Sequence, residues 1–154
     1  PMGSNISNRG AGKIGKPFLK NELRQDRGYL GQGFYMYFRQ TESSDEQKSQ
    51  RIHDGDGFIK RRNLFGSFSN LPIQIEIWEL DEGVSEGDHI HGDARPLEEI
   101  YYFLEGSGEM TIEGEKVLVE KNDALMVPPK VDHGIRNTGT GPLKMMIVWG
   151  ISSE

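Results

Sequence analysis

The sequence predicts an all-β chain that folds as a single small barrel or sandwich. From residue 52 onward, short runs rich in β-branched and aromatic residues recur between Gly, Pro, Asn and Asp signals. A chain of 154 residues with 34% apolar residues can bury one core, and two independent domains would be cramped. Only residues 18–26 offer a plausible helical turn. Short strands separated by tight turns therefore favour a closed β architecture.

The first part of the chain, residues 1–50, is expected to be an arm followed by a loop. Residues 1–4 resemble a cloning remnant, and residues 5–33 form an irregular arm rich in Gly, Lys and Asn. Residues 33–39 are aromatic and strand-like. The run at 41–50 has almost no apolar residue and is expected to be a mobile loop.

The barrel is assigned to residues 51–154. The Ile112–Lys116 segment predicts a hairpin, because its glycine accepts the positive φ of a tight turn. Ile73, Ile75 and Ile77 alternate with less apolar neighbours, so we expect them to face the core. The predicted strands lie near residues 57–65, 72–80, 88–91, 98–104, 108–112, 116–119, 124–127, 132–136 and 143–149.

Composition excludes several classes of chemistry. The chain has no cysteine, which excludes disulfides, thiolate metal sites and cysteine nucleophiles. The net charge of −6 is uneven: residues 1–70 carry 12 basic against 7 acidic side chains (+5), and residues 71–154 carry 6 against 17 (−11). This asymmetry fits a basic segment docked on an acidic barrel, its own or a partner's, and it equally fits a solvated arm.

Neither a membrane nor a nucleic acid is an expected partner. No apolar run approaches the roughly 18 residues that a membrane span needs. The basic triplet Lys60-Arg61-Arg62 lacks interleaved aromatic residues and lies in no recognisable nucleic-acid motif. We expect a cytoplasmic protein whose partner is a small molecule.

A group of nitrogen and oxygen donors points to a metal site. His89 and His91 fall in a predicted strand, where alternation puts both imidazoles on one face, about 6 to 7 Å apart. His133 precedes another strand, and Glu99 supplies an anionic oxygen. Three imidazoles and one carboxylate leave positions of an octahedral first-row ion open. His53 has no such context and is expected to be a loop histidine without a partner.

Two sets of spaced residues resemble the signatures of the cupin superfamily. The first set is Gly83, His89, His91, Glu99 and Gly106; the second is Asn122, Pro128, Lys130, His133 and Asn137. The resemblance covers about residues 71–150 and implies a jelly-roll-like barrel with His89, His91, Glu99 and His133 as metal ligands.

The sequence departs from the usual pattern in three places. Seven residues separate His91 from Glu99 where the pattern has three or four, so Glu98 is an alternative ligand. Asn122 and Lys130 replace customary glycines; Asn tolerates the left-handed conformation, and Lys does so less readily.

Residues near the expected cavity suggest further roles. Tyr101 and Phe103 share the Glu99 face of a strand, so the Tyr101 phenol is a candidate general acid or base, with packing in the barrel wall as the equal alternative. The run Glu99-Ile100-Tyr101 resembles that of cupins that cleave dimethylsulfoniopropionate, in which the tyrosine is the proposed base. Arg95 and Arg136 are candidate anchors for an anionic substrate, and Phe103 for its apolar part.

The expected function is a divalent-metal-dependent cupin enzyme acting on a small anionic metabolite. An oxygenase ranks first, because three histidines and one glutamate resemble the sites of several cupin dioxygenases. A metal-assisted lyase or isomerase using Tyr101 is the alternative, and a non-catalytic ligand-binding cupin is the third class. Fe(II) is the favoured ion, with Mn, Ni, Zn or Cu also compatible. A homodimer is expected, because an edge strand can pair with a neighbour's sheet.

Overall fold

The computed structural model describes residues 24–30, 33–43, 45 and 47–152, with side chains described from residue 37 onward. Within these residues the chain is all-β, as expected. Eleven strands follow one another: β1 Arg24–Leu30, β2 Gly33–Arg39, β3 Lys48–Gln50, β4 Ile59–Asn63, β5 Ile73–Leu80, β6 Leu97–Glu105, β7 Ser107–Ile112, β8 Glu115–Glu120, β9 Ala124–Val127, β10 His133–Arg136 and β11 Leu143–Ile151. The described part of the chain contains no helix long and apolar enough to cross a membrane.

The predicted boundaries in the amino-terminal part need correction. Residues 24–30 form a strand, so neither the irregular arm nor the helical turn extends over them; residues 1–23 lie outside the described residues. β1 and β2 pair as an antiparallel hairpin. The polar loop ends early, because residues 48–50 form β3 and add an edge strand to the main sheet.

Two antiparallel sheets enclose the core. The larger sheet has the order β3-β4-β5-β11-β6-β9, and the smaller has the order β10-β7-β8. Inward-facing side chains of both sheets form one cluster, including Tyr101, Phe103 and Met145 from the larger sheet and Met110 and Ile135 from the smaller one. This arrangement confirms the predicted barrel.

The segment at 88–91 is not the regular strand that the pattern predicted. It contributes one isolated bridge, between His89 and His133, and a second bridge joins Ser85 to Arg136. Gly87 and Gly92 flank the histidine pair, and the segment follows the edge of β10 without forming a continuous ladder.

The core cluster takes the other face of β5 from the one predicted. Trp78 and Leu80 belong to that cluster, whereas Ile73 and Ile75 are only partly buried; Ile77 is buried, as predicted, but outside the cluster. Glu76 shares the inner face because it is neutralised there: it accepts a hydrogen bond of 2.7 Å from Trp78 Nε1 and forms an ion pair of 2.6 Å with Arg61. The alternation of apolar residues predicted the wrong face for the core cluster, because the ion pair with Arg61 allows Glu76 to be buried on the inner face.

The basic triplet of β4 is paired within the chain. Lys60 Nζ lies 2.9 Å from Glu79 and 3.0 Å from Asp81, and Arg62 lies 3.1 Å from Asp45. An oppositely charged pair on adjacent strands stabilises a sheet by about 0.2 to 1 kcal/mol. Part of the basic excess of residues 1–70 is therefore docked on acidic side chains of the same barrel.

Left-handed backbone occurs where the cupin-like signatures require it. Gly83 and Gly106 have φ of 76° and 81°, and the two replacements Asn122 and Lys130 adopt φ of 76° and 69°. A Cβ at Gly106 would lie 2.3 Å from the Pro142 carbonyl oxygen, so glycine is required there for space as well as for φ. Lys130 adopts the conformation at a cost of about 1 kcal/mol or more.

Truncation of a central core side chain should destabilise the barrel strongly. Met145 is fully buried on β11, between β5 and β6. Met145→Ala should lower the free energy of unfolding by about 2 to 5 kcal/mol, because it leaves a cavity. Urea unfolding measures this, with Leu118→Ala as the control, because Leu118 is 78% exposed and should change stability by less than about 0.5 kcal/mol. Equal effects of the two changes would contradict the assigned core.

Candidate metal centre

Four side chains from three segments converge inside the barrel. His89 and His91 come from the segment that precedes β6, Glu99 from β6 itself, and His133 from the first position of β10. One donor atom from each of the four lies within 4.8 Å of each of the others. The structure thus brings together the four residues that the cupin resemblance implied as ligands.

The donor atoms are in direct contact with one another. His89 Nε2 lies 3.2 Å from His91 Nε2, and His91 Nε2 lies 3.3 Å from Glu99 Oε1. The other carboxylate oxygen, Glu99 Oε2, lies 2.9 Å from His133 Nε2. Three imidazole nitrogens and one carboxylate at this spacing form a compact donor set of the kind that binds one ion.

Backbone pairing sets the relative positions of three of these residues. The amide of His89 donates to the carbonyl of His133 at 2.9 Å, and the amide of His133 donates back at 3.0 Å. The amide of Lys130 donates to the carbonyl of His91 at 3.0 Å. These backbone hydrogen bonds therefore hold the Cα positions of the three histidines fixed relative to one another, independently of their side chains.

Two histidines have their proton positions fixed by backbone carbonyls. His89 Nδ1 lies 3.1 Å from the carbonyl oxygen of Gly87, and His133 Nδ1 lies 3.0 Å from that of Val131. A carbonyl can only accept, so each Nδ1 carries a proton. The Nε2 atom of neutral His89 therefore presents a lone pair, whereas Nε2 of His133 also carries a proton, which it donates to Glu99 and would release to an ion. The fixed Nδ1 proton directs each Nε2 toward the centre, as a metal-binding imidazole needs.

The carboxylate of Glu99 is ionised. Burial acts to raise its pKa, but hydrogen bonds from His133 and Tyr101, together with the nearby His91, lower the pKa to about 2. Tyr101 donates to Glu99 Oε2 at 2.7 Å. Burial raises the pKa of Tyr101 well above its ordinary value of 10, with Glu86 and Glu99 adding to the effect.

The pKa values of the three imidazoles are shifted in different directions. Burial, with His133 and His53 nearby, lowers the pKa of His89 to about 4, and burial also lowers the pKa of His91. Burial acts to lower the pKa of His133 as well, but its hydrogen bond to Glu99 outweighs this and raises it. His89 and His91 are therefore neutral donors at neutral pH. The donor set as a whole fits a divalent first-row ion.

β6 separates the two adjacent glutamates. Glu99 is buried and faces the cluster with Tyr101 and Phe103, while Glu98 is only partly buried and lies on the alternate face. The structure therefore brings Glu99, not Glu98, to the imidazoles. Phe103 is fully buried in the core cluster.

The two arginines that we considered as substrate anchors are engaged by other groups of the chain. The Arg95 guanidinium stacks over the ring of Trp149, 4.9 Å from its centroid. Arg136 donates to the carbonyl of Gly83 at 2.9 Å and to Asp56 at 2.5 Å, and it lines a surface cavity of about 250 Å³ that none of the four donors lines. Neither guanidinium is brought into the cluster.

Two residues beside the centre were missed as a pair. His53 lies in a turn, as expected, but it has a partner: its Nδ1 lies 3.0 Å from Glu86 Oε1, and its ring stacks on His89 with 3.6 Å between centroids. Glu86 is 4% exposed, and burial raises its pKa. The only sequence signal was the position of Glu86, three residues before His89.

A cupin-domain family model matches residues 76–149, which contain all four donors. The fold is similar to the crystal structure of a protein from Thermotoga maritima described as a predicted oxalate decarboxylase: the TM-score is 0.65 and the identity 24%, over 73% of this chain and 97% of that one. The polyketide cyclase RemF from Streptomyces resistomycificus has a TM-score of 0.63 at 18% identity, over 72% and 77% of the two chains. At these identities the likeness shows the fold.

One curated relative has a higher identity over a shorter stretch. An uncharacterized protein of Methanocaldococcus jannaschii is 53% identical over 49 residues, which is 32% of this chain and 39% of that protein. The match thus spans well under half of the relative's length.

The metal-free protein should lose stability as the pH falls from about 6.5 to about 4. In the unfolded chain His89 takes up its proton near pH 6.5, and in the folded chain only near pH 4, so the unfolded state binds more protons in this window. His91 acts in the same sense. The loss from Glu99 comes lower, between 4.5 and about 2, and the raised pKa of His133 acts in the opposite sense above 6.5.

His89→Gln isolates this effect. The variant lacks the buried imidazole, so its free energy of unfolding should decline less steeply between pH 6.5 and pH 4 than that of the wild type. Urea unfolding in the presence of a chelator at several pH values measures both slopes. Parallel curves for the two proteins would show that His89 does not titrate as the geometry requires.

Proposed function

We propose that this chain, whose residues 76–149 form a cupin domain, is a divalent-metal-dependent enzyme acting on a small anionic metabolite, with an oxygenase as the first candidate. The observation that carries the proposal is the donor set. Three imidazole Nε2 atoms and the ionised carboxylate of Glu99 face one point inside the barrel. A surface ion-pair network would not bury such a set at this density.

His89, His91, Glu99 and His133 would hold the ion. An ion bound there supplies Lewis acidity and, if it is iron, redox chemistry with dioxygen. Four protein donors leave one or two positions of a six-coordinate ion for small molecules. The ligands bring one negative charge against two positive charges, so the ion and its four ligands keep a net positive charge. This favours an anionic substrate.

The state of Tyr101 favours a reaction at the bound ion over a reaction in which the phenol transfers a proton. Its hydroxyl is fully buried, donates to Glu99 Oε2, and has a pKa well above its ordinary value. A phenol in this state keeps its proton at neutral pH and orients the carboxylate. An oxygenase needs no more from it, whereas a lyase would need it to exchange a proton with substrate.

A metal-assisted lyase or isomerase is the second candidate. It is favoured by the position of the Tyr101 hydroxyl, which lies 2.7 Å from Glu99 Oε2. Since Glu99 would bind the ion, the phenol would lie close to a substrate held by that ion. In that reaction Tyr101 would have to be displaced from Glu99 when substrate binds. The two candidates make opposite demands on this one hydrogen bond.

Elemental analysis tests the metal centre. Protein purified without added metal or a histidine tag should carry about one equivalent of a divalent transition metal per chain, and His91→Ala should lose most of it. Iron would direct the search to oxygen-dependent reactions, and manganese, nickel or zinc to a lyase or isomerase. Wild-type protein that carries no metal and takes up none on dialysis against these ions would refute the enzyme and favour a binding module.

Tyr101→Phe separates the two reactions. An oxygenase should keep its oxygen consumption within about tenfold of the wild type, since the variant loses one hydrogen bond to Glu99 and no reacting group. A lyase or isomerase using the phenol should lose about a hundredfold or more of its turnover, which should also proceed without oxygen. The comparison is made with iron-loaded protein in an oxygen electrode, and retained metal content in the variant is the control.

A further inference from the structure

A second group of donors lies directly beside the metal centre. His53, Glu86 and His89 have donor atoms within 4.8 Å of one another. Glu86 Oε1 lies 3.0 Å from His53 Nδ1 and 3.9 Å from His89 Nε2. His89 is common to this group and to the four-residue centre, so the two groups are adjacent.

Glu86 is incompletely satisfied in this arrangement. Its side chain is 3% exposed, and its Oε2 has no hydrogen-bond partner among the residues that the structure describes. A buried carboxyl oxygen without a partner costs free energy comparable to a lost charged hydrogen bond. Its position beside His53 and His89 points to a partner of another kind, and a divalent cation is a partner that one carboxylate and two imidazoles can bind.

The position of Glu86 is fixed by two backbones in contact. The amide of Ser85 donates to the Asp56 carbonyl at 2.9 Å, and the amide of Gly87 donates to the Ile52 carbonyl at 3.2 Å. A Cβ at Gly87 would lie 1.7 Å from the His53 carbonyl oxygen. Any residue other than glycine would therefore clash with the His53 backbone at this position. The absence of that Cβ lets the His53 turn lie directly against the Glu86 segment.

His53 is the most exposed of these side chains. It is 40% exposed, whereas His91 is 14% exposed, His89 and Glu99 are 10% exposed, Glu86 is 3% exposed and His133 is 1% exposed. The His53 ring also stacks on the face of His89. An ion that approaches from solvent on this side therefore meets His53 before it reaches His89.

The shared histidine makes the two positions mutually exclusive. His89 Nδ1 donates to the Gly87 carbonyl, so only Nε2 is available, and a neutral Nε2 has one lone pair. An ion held by His53, Glu86 and His89 must give up His89 before the inner centre can use it. The stoichiometry of one ion per chain therefore stays unchanged.

From these contacts we propose that His53 and Glu86, with His89 shared, form an outer cation position through which a divalent ion enters and leaves the metal centre. The proposal rests on the proposed metal centre and adds the route to it. A group that lies on the route changes how fast the ion is exchanged. It does not change the final affinity, because entry and exit are slowed together.

Stopped-flow binding of Co²⁺ to the metal-free protein tests the route, with the visible absorption of the bound ion as the signal. Glu86→Gln keeps the size of the side chain but removes the anionic donor, and it should slow both association and dissociation by about tenfold or more. The dissociation constant and the absorption spectrum should stay within about twofold of the wild type. His53→Ala should slow loading in the same way.

Asp54→Asn is the matched control. It removes one negative charge next to His53 in the same turn, and Asp54 belongs to neither donor group. Its effect on the association rate should be small and should vanish at high salt, whereas that of Glu86→Gln should persist. Thermal unfolding of the metal-free variants checks that each is folded.

The alternatives give different results. Wild-type rates in Glu86→Gln, or faster loading in His53→Ala, would overturn the route. A weaker dissociation constant with an altered Co²⁺ spectrum would overturn it too, by making Glu86 a ligand of the inner centre. If the wild type itself binds no Co²⁺, the metal centre fails and not only the route to it.

Discussion

The structure depends on how a small barrel accommodates carboxylates in its interior. Two of its buried carboxylates are stabilised in different ways. Glu76 is neutralised by Arg61 and accepts from Trp78, as a permanent internal pair. Glu99 is stabilised by His133 and Tyr101, partners that can make room for an ion. The carboxylate with an arginine is structural, and the one with a histidine and a tyrosine is available for binding, because an imidazole can give up its proton and an arginine cannot.

Successive contacts around the centre reduce the freedom of the donor side chains to rotate. The backbone bridge between His89 and His133 sets where the imidazoles start, and the carbonyls of Gly87 and Val131 then fix which nitrogen of each ring faces inward. Tyr101 fixes one oxygen of Glu99. The donor side chains are therefore largely ordered before an ion binds, so little of the binding free energy is lost in ordering them.

Spacing and alternation predicted much of this arrangement. The order of motifs pointed to a cupin barrel and to the four donors, and alternation along β6 separated Glu99 from Glu98. Both signals are local: they depend on the period of a strand and on the turns that bound it. The left-handed φ at Asn122 and Lys130 shows that turn geometry persisted where the customary glycine did not.

What the sequence could not predict was decided by contacts between distant segments. The inner face of β5 was assigned wrongly because an ion pair with β4 makes a glutamate acceptable inside. The pairing of His53 with Glu86 joins segments 33 residues apart through backbone contact, and no periodicity records it. Burial of polar groups follows from their partners, and partners of this kind become visible only in three dimensions.

The isolated bridge between His89 and His133 has a consequence for the mechanics of the barrel. The bridge itself consists of two backbone hydrogen bonds, and the Ser85–Arg136 bridge is the neighbouring contact between the same two segments, which form no continuous ladder. Such a seam opens more readily than the interior of a sheet. An ion bound by both imidazoles would act as a cross-link that closes the long loop between them, and opening of the seam would require ligand release. Amide hydrogen exchange at these two residues would then report the residence time of the ion.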